Sequence, residues 1–104
     1  MGKRINEVKK TYRIEIYIGS DNDSRKINDL YLEKIRRWAN SVFPDGYTLL
    51  ECKGYYNGIS EDSILIQVLL GYDPNLKHSI KKLKQELRQN SVLVVKSRVD
   101  YEMI

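Results

Sequence analysis

The chain has 104 residues, 41% of them hydrophobic and 31% charged, with a net charge of +4. That suits one soluble domain with a modest core and excludes a helical membrane protein, because no apolar run approaches about 20 residues. One cysteine, Cys52, and one histidine, His78, exclude an internal disulfide and the usual zinc spacings.

The first eleven residues carry Lys3, Arg4, Lys9 and Lys10 and show no period; they are expected to be a flexible basic segment ahead of a single domain over 12–104. Tyr12 to Ile18 alternates strictly, with Tyr12, Ile14, Ile16 and Ile18 on one face, which predicts a strand. Gly19-Ser-Asp-Asn-Asp-Ser24 breaks it. Ile27, Leu30, Tyr31, Ile35, Trp38 and Val42 then recur at helical spacing, with Asp23 or Ser24 as the expected cap and Phe43-Pro-Asp-Gly46 as the stop. Tyr47 to Tyr56 reads as the second strand. Asn57-Gly58 is the strongest turn dipeptide in the chain, and Tyr55 to Asp62 is expected to form the hairpin tip. Ser63 to Leu70 is the third strand. Asp73-Pro74 is expected to cap and open a second helix, whose apolar stripe is Leu76, Ile80, Leu83 and Leu87. Val92 to Val99 is the last strand.

The order βαββαβ predicts an α+β, ferredoxin-like sandwich: a four-stranded antiparallel sheet with two helices on one face. In that topology the loop after the first strand and the hairpin tip share one edge. The third strand is apolar on both sides, with Ile64, Ile66, Val68 and Leu70 on one and Leu65 and Leu69 on the other. Tyr17, Tyr47, Leu49 and Tyr55 are expected to extend the second side, and Cys52 to point at the helices. A face this apolar is expected to pack against another copy in a closed oligomer.

Two stretches hold candidate chemistry. In the hairpin, Tyr56 beside Glu61 makes a receptor for a cation: the carboxylate supplies charge and the ring face cation–π attraction. The plainer reading is a solvated hairpin with edge charges that block aggregation. The second stretch, Gly19 to Lys26, leaves a strand and enters a helix. Free N–H groups there, with Arg25 and Lys26, would attract phosphate, whereas Asp21 and Asp23 would repel it. It lacks the glycine spacing of a nucleotide-binding loop. The Lys-rich second helix lacks the interleaved aromatics of a nucleic-acid surface, so a solvated face is expected there.

Gly54-Tyr-Tyr56, a short tip, Glu61-Asp-Ser63 leading into an apolar strand, and the final Val92-Leu-Val-Val-Lys-Ser97 resemble the phage S-adenosylmethionine (SAM) lyases. A related branch, similar in plan, serves type III CRISPR defence by degrading SAM-AMP, the adenylated messenger. The resemblance implies a PII-like trimer with ligands at the subunit seams, no metal and no cofactor; the lone Cys52, with no secretory signal pattern, leads to the expectation of a reducing, cytoplasmic setting. The resemblance also implies catalytic roles for Glu61 and Tyr56. It implies substrate contacts from Tyr55, Lys53 and Ser63 and from Ser20, Asp21, Asn22, Arg25 and Lys26. The positive charge suits SAM-AMP. The alternative is a PII-like sensor that binds a nucleotide without chemistry; nucleic acid and membrane partners are not expected.

Overall fold

The computed structural model describes residues 11–104, so the basic segment expected before them lies outside the described residues, apart from Thr11, which already belongs to a strand. The elements are β1 (Thr11–Gly19), α1 (Asp29–Val42), β2 (Thr48–Tyr56), β3 (Ile59–Leu70), α2 (Lys77–Leu87) and β4 (Leu93–Val99). They form one sheet in the order β2-β3-β1-β4 with every neighbouring pair antiparallel. β1 and β2 both oppose β3, so they run the same way. This is the ferredoxin-like α+β sandwich that the element order predicts.

The core follows from strand pleating. Residues directly opposite in an antiparallel pair share a face. Ile14, Ile16 and Ile18 oppose Val68, Ile66 and Ile64, and all six are buried. Their cover comes from Tyr31, Ile35, Trp38 and Ala39 of α1 and Leu83 and Leu87 of α2. Fully burying each such isoleucine stabilises the fold by about 1.5–3 kcal/mol. Trp38 ties the helices together, since its Nε1 donates to the Ser79 carbonyl at 2.8 Å. Phe43 closes the end of α1 edge-on to that indole.

Four local expectations are corrected. The cap of α1 is Asn28, whose Oδ1 accepts from Tyr31 N at 2.8 Å. Asp21 and Ser24 are engaged in their own turn: Asp21 accepts from Ser24 N and Arg25 N, so the chain coils once more before the helix begins. Ile27 therefore precedes α1, and Leu30 faces solvent. At α2, Asp73 accepts from Lys96 Nζ at 2.9 Å and caps nothing; the helix starts at Lys77. β3 starts at Ile59, so Glu61 and Asp62 lie on a strand, not in a turn, and the hairpin bends through Asn57 and Gly58 alone.

The fourth correction concerns β2. Leu49 opposes the buried Ile66, and Cys52 opposes Ser63. Leu49, Glu51, Lys53 and Tyr55 thus take the helix side, while Leu50, Cys52, Gly54 and Tyr56 take the other. Cys52 is exposed on the helix-free face, opposite to the expectation. Tyr47 also lies on the helix side, donating to Asn40 Oδ1 of α1. Tyr17 and Leu65, directly paired, do lie on the helix-free face. That face also carries the exposed Leu50, Leu69, Leu93 and Val95.

Candidate functional site

The site sits where β1 ends, β3 begins and α2 hands over to β4. Gly19 pairs with Ser63, and Tyr17 with Leu93, so these ends converge as the element order requires. The β1–α1 loop continues along the β3 edge, where Asp62 N donates to Arg25 O at 3.2 Å. This hold keeps Arg25 in left-handed backbone (φ 59°), a conformation a non-glycine residue takes only where its surroundings enforce it.

Glu61 lies opposite Gly54, and Tyr56 opposite Ile59. The two-residue spacing puts Glu61 and Tyr56 on the same face, as diagonal neighbours across the hairpin. Arg25, Tyr56, Ile59 and Glu61 line one pocket of about 180 Å³. The buried Ser20 stands beneath it, its hydroxyl 3.5 Å from Glu61 Oε2. That is a long hydrogen bond, so the carboxylate keeps capacity for a stronger donor. No ion pair joins Arg25 to Glu61 among the described residues.

Tyr55 and Lys53 are on the other side of the sheet. Lys53 Nζ bonds its cross-strand partner Asp62. The pairing holds the Lys53 ammonium above its ordinary value and, with a backbone bond from Ile27 and the nearby Lys26 charge, holds Asp62 below the usual carboxylate range. Of the three basic residues expected at the ligand, only Arg25 shares the pocket. Ser63 donates to Ile18 O, Asn22 to Arg88 O, and Asp21 organises the loop, so these three shape the site's frame.

Two residues at the centre of that frame carry no sequence signal for a site. Tyr31 reads as one more apolar position of α1, and Gln89 follows the last leucine of α2 without any pattern. The Tyr31 hydroxyl donates to Gly19 O at 2.6 Å. Gln89 Nε2 donates to Ser20 O at 2.7 Å and to the Tyr31 hydroxyl at 2.9 Å. Arg88, in left-handed backbone at the end of α2, turns the chain so that Gln89 reaches β1. Burial pushes the Tyr31 phenol up to about 12; the Gln89 bond opposes that rise, and the charges of Asp21 and Glu61 add to it. The phenol therefore stays neutral and donating, in a neighbourhood whose carboxylates favour a cation. Among the described residues no cluster of His, Cys, Asp and Glu forms a metal site, and no helix is long and apolar enough to cross a membrane.

No protein-family description matches the sequence, and no curated protein matches it. Solved structures do. A phage SAM lyase in its apo state superposes over 100% of this chain and 98% of its own, with a TM-score of 0.60 and 17% identity. A phage SAM lyase in complex with S-methyl-5'-thioadenosine covers 94% of this chain and 87% of its own, with a TM-score of 0.55 and again 17% identity. This chain has the fold of the phage SAM lyases. Because the match spans nearly both chains, the likeness to the SAM lyase fold includes all six elements, where the sequence resemblance rested on the hairpin and the last strand.

Proposed function

We propose that the chain is a lyase that cleaves SAM, or its adenylated form SAM-AMP, at the seams of a homotrimer. The observation that carries the reading is the register: it puts Glu61 and Tyr56 on one face, beside Arg25 and above the Ser20 hydroxyl. The shared fold with phage SAM lyases, one of them bound to S-methyl-5'-thioadenosine, supports it.

The chemistry needs no protein nucleophile. The substrate's methionine carboxylate attacks its own γ-carbon, the carbon–sulfur bond breaks, and its electron pair neutralises the sulfonium. Homoserine lactone and methylthioadenosine, or its AMP adduct, leave without any net proton transfer. The protein's task is to fold the tail into an attack geometry and to stabilise the changing charge. Glu61 holds the substrate ammonium, the Tyr56 ring lies against the sulfonium, and Arg25 is the cation available to a phosphate on SAM-AMP. Cleaving SAM-AMP would remove a CRISPR defence messenger.

A single chain offers too little room. Small-molecule sites usually occupy about 300–1,000 Å³, and the pocket holds about 180 Å³. The helix-free face, with Leu50, Leu69, Leu93 and Val95 open, is the surface through which a second copy completes the wall.

The test is incubation of purified protein with SAM and, separately, SAM-AMP, followed by chromatography for methylthioadenosine or its AMP adduct. Product from either substrate is expected. Binding of both without product would replace the lyase with a PII-like nucleotide sensor, and no binding at all removes the reading.

A further inference from the structure

The pairing of β1 with β4 ends at Tyr17 and Leu93, short of Gly19 and Ser20. Past that point side chains hold the backbone of β1. The Tyr31 hydroxyl donates to Gly19 O at 2.6 Å, and Gln89 Nε2 donates to Ser20 O at 2.7 Å. The first carbonyl belongs to the peptide before the Ser20 Cα, the second to the peptide after it. Each peptide is a rigid plane, so holding both carbonyls fixes φ and ψ of Ser20 and, with them, the direction of its Cβ. Ser20 is buried, and its hydroxyl stands 3.5 Å from Glu61 Oε2.

Gln89 acts on both carbonyls. Ser20 O can only accept, so the Nε2 end of the amide faces it. The Tyr31 hydroxyl spends its proton on Gly19 O, so its oxygen accepts from Gln89, at 2.9 Å. The corner after α2 grips the same loop again where Asn22 Nδ2 donates to Arg88 O at 3.0 Å.

We propose that Gln89 is a positioning residue for Glu61: it locks Ser20, and the Ser20 hydroxyl sets which way the Glu61 carboxylate faces the pocket. A glutamate side chain turns about several torsions. One aimed donor removes part of that freedom before a ligand arrives, so less ordering is left to be done on binding. The proposal rests on the lyase reading only for what Glu61 holds, the substrate ammonium.

The experiment compares Gln89→Met, which keeps the length and loses both N–H groups, with Ser20→Ala and with the two combined. Two quantities are read: kcat/KM on whichever of SAM and SAM-AMP the wild-type protein cleaves, and calorimetric affinity for methylthioadenosine, which has no amino-acid tail. Each single variant should lower kcat/KM about tenfold, the scale of one hydrogen bond to a charged group. The double variant should lose no more than either single one, because both act along one path. Affinity for methylthioadenosine should stay within twofold, since it brings no ammonium to Glu61. Losses that multiply in the double variant, a parallel tenfold loss of methylthioadenosine affinity, or unchanged turnover in either single variant overturns the proposal. Gln89→Glu, the same shape with an acceptor in place of the donor, serves in the same way if Gln89→Met melts below the assay temperature.

A crystal structure of the Gln89 variant separates this proposal from the lyase reading. The Ser20 hydroxyl should have turned out of hydrogen-bond range of Glu61; a hydroxyl still in place overturns the positioning role whatever the activity. If Ser20 turns as expected and the wild-type protein releases no product from SAM or SAM-AMP, the lyase reading alone fails.

Discussion

Tyr55 and Tyr56 are neighbours in sequence and opposites in surroundings. Each strand position alternates sides, so a slip of one residue would exchange them; the pairing of Gly54 with Glu61 settles it for Tyr56. Tyr56→Leu, which removes the ring, should slow SAM or SAM-AMP turnover by tenfold or more, while Tyr55→Leu should stay within twofold, measured as initial rates of methylthioadenosine or AMP-adduct release. Glu61→Gln keeps the shape and removes the charge. Losing an electrostatic partner of this kind costs about 100-fold or more in rate, and retained turnover would take Glu61 out of the mechanism. Tyr31 gives a pH signature. Its folded-state pKa, about 12, lies above the ordinary value of 10.0, so its contribution to stability is complete below pH 10 and is lost as the pH rises towards 12. Phenolate absorbance should show one tyrosine titrating near pH 12, and that component should vanish in Tyr31→Phe.

The hairpin and the helix starts show how far an element can be read alone. Asn57-Gly58 predicted a two-residue bend, and both residues have positive φ, 51° and 77°. Replacing Asn57 with Ala should cost about 1–2 kcal/mol, the penalty of left-handed backbone without a side chain suited to it, read as a lower urea midpoint. Strands and helical stripes were legible because alternation and 3.6-residue spacing record burial directly. Element starts were not. Asp23, Ser24 and Asp73 are good caps by residue type, but none of them caps a helix: Ser24 bonds Lys26 in a loop turn and Asp73 bonds Lys96. Asn28 holds the real cap of α1, and Asn28→Ala should lower stability by about 1 kcal/mol in the same urea titration.

At the scale of the whole molecule the sheet has one covered face and one open one. Apolar residues on both sides of β3 predicted a second apolar face, and Leu69 and Leu93 stand about half exposed on it, at 47% and 59%. A charge there should barely affect an isolated chain and should break an assembly. Leu93→Asp or Leu69→Asp is expected to shift the protein to monomer by light-scattering chromatography and to abolish turnover together. Monomer that still cleaves its substrate would show that the single-chain pocket is enough.

Sequence by itself determined the element order, the ferredoxin-like sheet, the Asn-Gly bend and the pairing of Glu61 with a nearby tyrosine, because periodicity and turn chemistry are local properties of the chain. Only the tertiary structure decided which tyrosine that is, why Lys53 turns away, and how Gln89 comes to meet the chain at the end of β1. Those facts depend on strand register and on where one chain end crosses another. A contact between residues 69 positions apart, such as Ser20 with Gln89, leaves no trace in spacing.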